Sequence, residues 1–413
     1  MILDAKAIDE AAARLAPVVR TTPLEHNERL SAATGAPVWL KREDLQPVRS
    51  YKIRGAYNLI AQLSEQERRA GVICASAGNH GQGVAFACAR LGIRGKVFLP
   101  STTPRQKRER IRALGSDLVE LVVAGNTYDE AAGAAKIAAL ETGAVLVPAF
   151  DDLRTIAGQG TVAREIVEQA GRAPDVLVVP VGGGGMLAGC LTWLGDCCPD
   201  TVVVGVEPSG AACMAEALRT GTPVDLPTID TFVDGAAVRR AGDLTFAITR
   251  HFAPPMLTVP EGRVCSEMLA LYQTDGIIAE PAGALAPAAL DLLDLKPDQF
   301  VVAIVSGSNN DVSRYAEILE RSLVYEGHKH YFLVNFPQEP GSLRRFLDDV
   351  LGPDDDVTLF EYVKRSNREV GPALVGIDLG DPADLPALLR RLEASPLTFE
   401  TVVEDSPFYR FVV

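Results

Sequence analysis

Between about residues 70 and 310, short β-branched runs alternate with helical segments, and this alternation limits the fold more than any other feature of the chain. "GVICAS", "GKVFLP", "DLVELVV", "AVLVPA", "DVLVVPV", "TVVVGVE" and "FVVAIVSG" read as strands. Between them "GVAFACARLG", "PRQKRERIRALG", "TYDEAAGAAKIAALETG" and "MLAGCLTWLG" carry helical spacing and close on Gly. Runs that are apolar on both faces and separated by helices predict an α/β class, a parallel sheet covered on both sides. Sheets of this kind hold ligands at the carboxyl ends of strands, where loops lead into helix N-termini.

The chain has 413 residues, enough for two or three domains. Its net charge of −14 argues against nucleic acid or an anionic membrane as a general partner. No apolar run reaches the length of a membrane span, and "MILDAKAIDE" has charges where a signal peptide needs an apolar segment. Seven scattered cysteines without metal-like pairing fit reduced thiols, so a cytoplasmic protein with no metal site is expected. Near residue 320 the pattern changes. A charged hinge, "YEGHKH", leads to a strand, a Pro/Gly turn and a helix. Then come "DVTLFEYVKR", "PALVGIDL", "DLPALLRRLEAS", "FETVVE" and "YRFVV". These read as a small α+β domain.

Three loops and one lysine carry the chemistry. In "VLVVPVGGGGMLAG" a strand enters Gly182 to Gly185 and a helix leaves. Backbone without Cβ atoms can turn successive N–H groups toward one anion, helped by the helix N-terminus. Gly183, Gly185 and Ala188 also fit a dinucleotide-binding form, with Glu207 near where a ribose-binding acid would stand, so a nicotinamide-dependent oxidoreductase stays open here. "CASAGNHGQGVA" crowds Ser76, Gly78, Asn79, His80 and Gly81 into a second strand-to-helix turn, suited to a carboxylate. "AIVSGSNND" ends a buried strand at Ser306, whose hydroxyl bonds without carrying charge. Lys52, in "SYKIRGAYN", stands just before a helix. Desolvation and a helix N-terminus both disfavour an ammonium, and a neutral amine is what capture of an aldehyde requires.

An amine, a glycine anion cradle, an amide and a neutral hydroxyl are the parts that hold pyridoxal 5'-phosphate. With "KREDLQPVRSYKIRGAYN", "SAGNHGQG", "VGGGGMLAG", "AEPAGA" and "VSGSNN" in this order, the chain resembles the fold-type II pyridoxal-phosphate enzymes, and within them the threonine dehydratases. The resemblance implies a tryptophan synthase β-like catalytic unit over residues 1–322, with a smaller subdomain at about 45–150 inserted in it. It implies that Lys52 carries the cofactor, Asn79 bonds its phenolic oxygen, Gly182, Gly183, Gly184, Gly185 and Met186 bind its phosphate, and Ser306 meets its pyridine nitrogen. Ser76, Ala77, Gly78, Asn79 and His80 would receive the substrate carboxylate, and Glu280 would lie near the cofactor ring. The freed Lys52 amine would act as general base at Cα. A neutral partner at the ring nitrogen would couple deprotonation to loss of a β-hydroxyl. The expected reaction is deamination of L-threonine to 2-oxobutanoate, with L-serine as a poorer substrate. A serine or hydroxyaspartate dehydratase of the same fold, and a catalytically dead amino-acid-binding regulator, are the other readings.

Two departures narrow the resemblance. Serine racemases have a serine where this chain has Ala77, whose methyl cannot transfer a proton, so little racemisation is expected. They also hold a divalent metal after a "VEP"-like turn; here Glu207 is kept, but the second carboxylate position is Cys213. Residues 323–413 resemble the ACT-like, ferredoxin-type regulatory domain of biosynthetic threonine dehydratases, in one copy. This implies feedback inhibition by L-isoleucine, opposed by L-valine, with Phe336, Pro340 and Leu343 at the strand–turn–helix where an effector docks. It also implies a homotetramer.

Overall fold

A computed structural model describes residues 3–362, 369–403 and 406–409. The strands are β1 (Leu24–His26), β2 (Val38–Arg42), β3 (Val72–Ala75), β4 (Gly95–Leu99), β5 (Val119–Val123), β6 (Val145–Leu146), β7 (Val176–Pro180), β8 (Val202–Pro208), β9 (Met256–Val259), β10 (Val301–Val305), β11 (Lys329–Pro337), β12 (Asp356–Tyr362), β13 (Val370–Asp378) and β14 (Thr398–Thr401). The chain divides into two compact units, Met1–Asp311 and Val312–Val413.

The first unit holds two sheets. One has the order β1-β2-β10-β7-β8-β9, parallel except for β1 at its edge. The other, β5-β4-β3-β6, is parallel throughout and comes from the stretch of chain between β2 and β7. The all-apolar runs of β7 and β10 are buried along their whole length, as strands covered on both faces must be. β2 and β9 had no clear signature in the sequence, because "VWLKR" is interrupted by charge and "MLTV" is short.

The helix Leu153–Ala170 is the scaffold of the site. Gly158 lets it approach the Lys52–Ala61 helix, since a Cβ there would lie 2.4 Å from the Arg54 carbonyl oxygen. Gly160 meets Gly189 of the Gly185–Cys197 helix in the same way, a Cβ falling 2.7 Å from the Gly189 oxygen. Glycines lower helix propensity, so this helix is weakly marked in sequence; close packing is what they supply. Beside it, Arg54 donates to both oxygens of Glu43, at 2.8 and 2.7 Å, and to Glu165 at 2.8 Å. Lys41 joins Glu165 at 2.6 Å. Arg54, Glu43 and Lys41 are almost wholly buried, so each charge depends on the others.

In the second unit the sheet order is β12-β13-β11-β14, antiparallel, with the helices Ser342–Asp349 and Leu385–Ala394 in the connections. This is the ferredoxin-like βαββαβ arrangement. Its core is built from Phe332, Val334, Phe346, Val375, Ile377 and Leu388. The helix Tyr315–Tyr325 lies in this unit, tied to β11 by Lys329 and Glu320 at 2.9 Å, so the division falls earlier than the sequence hinge suggested. Most of the terminal run "YRFVV", read as a strand, lies outside the described residues. Among the described residues no helix is long and apolar enough to cross a membrane.

Candidate active site

Lys52 is the first residue of its helix and is half-buried. The segment before it pairs with the chain beyond β10. Tyr51 N–H donates to the Ser306 carbonyl at 3.1 Å, and Ser308 N–H donates to the Arg49 carbonyl at 2.9 Å. Lys52 is thereby held at the carboxyl end of an inner strand. Its Nζ donates to the Ala149 carbonyl at 3.3 Å and lies 5.2 Å from the centre of the Tyr51 ring.

The glycine turn reaches the same place. β7 runs into Gly182–Gly185, and Gly184 adopts φ +90°, a region that residues with a Cβ rarely enter. No side chain caps the following helix, so its first-turn N–H groups are available to an anion. A Cβ on Gly183 would lie 2.3 Å from the Phe150 ring. The turn is therefore pressed against Phe150, the neighbour of the carbonyl that Lys52 reaches. Met186 is buried behind it.

The loop after β3 leads into a helix that packs against Lys52. Ser76, Ala77, Gly78 and Asn79 are half-buried, and the helix Asn79–Leu91 begins at Gly78 without a side-chain cap. At Gly83 this helix backs onto the Lys52 carbonyl, a Cβ there falling 3.1 Å away. His80 is buried, with Nε2 2.8 Å from the Val147 carbonyl. A carbonyl only accepts, so Nε2 carries the proton. Burial first, then the Lys52 charge, push the His80 pKa down to about 4. The ring is neutral at ordinary pH.

Asn79 is held at both ends. Its Nδ2 donates to Glu280 Oε1 at 2.5 Å, and its Oδ1 accepts from Asn309 Nδ2 at 2.7 Å. Asn309 Nδ2 also donates to the Val48 carbonyl at 2.8 Å. Glu280 is buried, and burial, then the Asp234 charge, push its pKa up to about 7 although the Asn79 bond opposes the shift. Ser306, buried at the end of β10, donates from Oγ to the Ala282 carbonyl at 3.0 Å. So Lys52 and the glycine turn meet at Ala149–Phe150, Asn79 of the second loop joins Glu280 and Asn309, and the Lys52 segment pairs with the chain at Ser306.

The family model for pyridoxal-phosphate dependent enzymes matches residues 15–307, and that for the C-terminal regulatory domain of threonine dehydratase matches residues 320–412. The biosynthetic L-threonine dehydratase of Mycobacterium tuberculosis is 60% identical, over 98% of this chain and 95% of its own. The Bacillus subtilis enzyme of the same name is 47% identical over 100% and 98%. The chain belongs to the biosynthetic threonine dehydratases. In solved structures the processed form of threonine deaminase isoform 2 from Solanum lycopersicum is similar. It superimposes with a TM-score of 0.74 at 39% identity, covering 77% of this chain and 88% of that one. As in the wider family, the cofactor of this dehydratase is pyridoxal phosphate. The residues present fit it. There is an amine whose hydrogen bond to Ala149 is long, two helix starts free of side-chain caps, and a glycine turn too close to Phe150 for any Cβ at position 183.

The dinucleotide reading fails on Glu207. That carboxylate is buried at the end of β8 and accepts from the N–H groups of Met214 and Ala215, at 2.7 and 2.8 Å. It caps the helix Cys213–Thr220 and does not face a ribose site.

Of the three tail residues, Pro340 and Leu343 are exposed at the turn and in the following helix. Phe336 is not. It lies in the core, its ring 5.3 Å from that of Phe346 and 5.6 Å from that of Phe360, because alternation along β11 turns it inward.

Sequence reasoning missed Asn309, and Gln159, whose Nε2 donates to the Ala149 carbonyl at 3.0 Å. Asn309 stands in "VSGSNN", two residues past the strand-end glycine, and its type alone marks a possible side-chain donor. Gln159 lies between two helix glycines, and nothing local to it points to a site.

Proposed function

We propose that this dehydratase deaminates L-threonine to 2-oxobutanoate and ammonia in the cavity at Lys52, with L-serine as the slower substrate. One observation supports the site assignment above the others: the Lys52 amine and the glycine turn converge on the Ala149–Phe150 peptide. Lys52 would hold the cofactor through its amine, and the same amine would serve as general base for the Cα proton. When bound, pyridoxal phosphate supplies an electron sink for the Cα–H bonding pair.

The chain's residues do the rest. The N–H groups of Gly182 to Met186 would hold the phosphate ester. Asn79, clamped by Glu280 and Asn309, has one amide hydrogen left that would serve the phenolic oxygen. Ser306 has one hydroxyl hydrogen, so it gives it either to Ala282 or to the ring nitrogen, and it places no negative charge there. The loop Ser76 to His80 receives the substrate carboxylate at the uncapped start of its helix. Ala77 offers no proton to the opposite face, which keeps the reaction an elimination.

The test is release of 2-oxobutanoate from threonine by the holoenzyme with no nicotinamide present. Lys52→Ala abolishes both turnover and the visible absorbance of the bound cofactor; a variant that kept turnover would refute the assignment. We also infer that the second unit binds a branched-chain amino acid, L-isoleucine as inhibitor and L-valine as its opponent. Its support is the match to the regulatory domain of threonine dehydratases. A cytoplasmic homotetramer completes the reading, and light scattering measures the subunit number.

A further inference from the structure

Gln159, in the middle of the helix Leu153–Ala170, is wholly buried, and its Nε2 donates to the Ala149 carbonyl at 3.0 Å. That carbonyl is the acceptor of Lys52 Nζ, at 3.3 Å. Because a carbonyl only accepts, the amide orientation is settled, and Oε1 points the other way. Oε1 is buried and has no hydrogen-bond partner among the described residues. A Cβ on Gly185, at the glycine turn, would lie 2.3 Å from this oxygen. A Cβ on Gly55, one turn beyond Lys52, would lie 3.0 Å from both Cγ and Nε2 of the same side chain. Gln159 therefore fills a slot that exists only because the lysine helix and the cradle helix each carry glycine where they face it.

From this we infer that Gln159 is a positioning residue for Lys52. It occupies half of the Ala149 carbonyl, limits how firmly that carbonyl holds the lysine ammonium, and packs between this anchor and the start of the cradle helix. The inference rests on the proposed role of Lys52. Without the Gln159 donor, the carbonyl bonds the ammonium alone, and the amine is less free to capture an aldehyde.

The test uses Gln159→Met, which keeps the length of the side chain and removes the donor, and Gln159→Leu, which removes the donor in a shorter side chain and serves should the methionine variant fail to fold. Pyridoxal phosphate is titrated into each cofactor-free protein, and borohydride trapping at Lys52 is followed against pH. Neither readout depends on turnover. The expected result is a Kd for pyridoxal phosphate raised roughly tenfold and half-maximal trapping displaced upward by about half a pH unit or more. A Kd within about twofold of wild type together with an unmoved trapping midpoint would overturn the inference. If the wild-type protein itself is not trapped at Lys52, the active-site reading falls, and this one with it.

Discussion

Asn79 Nδ2 donates to Glu280 Oε1 at 2.5 Å, joining residues 201 positions apart in the chain. The other end of the amide takes a hydrogen from Asn309. An amide side chain free to rotate about its last bond would present oxygen or nitrogen equally; this one is fixed with nitrogen toward the carboxylate. Asn309→Ala removes the donor that Asn79 Oδ1 has among the described residues and leaves the amide held by Glu280 alone. The expected outcome is a several-fold weaker Kd for pyridoxal phosphate, about 1 kcal/mol, with the melting temperature of the cofactor-free protein little changed. Fluorescence titration and calorimetry measure the two.

Glu280 also makes a pH prediction. Its pKa in the folded protein is pushed up to about 7 by burial, against about 4.3 in an unfolded chain. Between those values the folded state binds the proton more firmly, so this group's contribution to stability is complete at acid pH and is lost as pH rises toward 7. His80, pushed down to about 4, acts with the opposite sign below about pH 6.5. The difference between wild type and Glu280→Gln isolates the carboxyl. The cofactor-free variant gains on wild type by on the order of 1–3 kcal/mol between pH 4.5 and 7.5, read from urea denaturation. A constant difference across that range would contradict the burial argument.

The glycine turn separates two kinds of substitution. On Gly183 a methyl group meets three Phe150 ring atoms, the nearest at 2.3 Å, and the ring is rigid. Gly183→Ala should cost about 2 kcal/mol or more and abolish measurable cofactor binding. Gly78→Ala, where nothing lies within 4 Å of the added carbon, should melt within about 0.5 kcal/mol of wild type. Its methyl group at the carboxylate loop is expected to raise the KM for threonine with kcat less affected.

Arg54 sits two residues after Lys52 and is the hub of a buried ion cluster. Arg54→Met leaves the Glu43 carboxylate buried without its bidentate partner. Loss of one partner of such a pair costs about 3–5 kcal/mol. The double variant Arg54→Met, Glu43→Gln should recover part of that loss, because it buries one fewer uncompensated charge. Chemical denaturation of the four proteins of the cycle gives the coupling directly.

In the tail, a chain ending at Asp311 keeps the whole first unit. It is expected to retain threonine deamination and lose any response to isoleucine. Leu343→Ala, at an exposed position, should shift the effector's half-saturation without altering stability. Phe336→Ala removes a core ring and should destabilise the second unit by about 3–5 kcal/mol. Isoleucine inhibition that survived the truncation would end the sensor reading.

The strand–loop–helix chemistry was legible from the chain alone. Four consecutive glycines after an apolar strand, a Ser-Ala-Gly-Asn-His turn, a strand ending in Ser306 and a lysine at a helix start are local patterns, and local backbone preference largely decides what such stretches do. The α/β class followed from the same alternation and an α+β tail from its strand and helix order, while its ferredoxin-like form came from the family resemblance. What the residue order could not contain was which groups those loops would meet. Lys52 finds the Ala149 carbonyl 97 positions away, Asn309 reaches Asn79 across 230, and Glu207 turns from a supposed ribose ligand into a helix cap. Phe336 likewise looked available and is core. Such pairings depend on how closely helices and sheets pack. Here that closeness depends on Gly158, Gly160 and Gly189, which carry no chemistry of their own. Contact at a distance of many residues is decided by packing in three dimensions, so only the folded chain determines it.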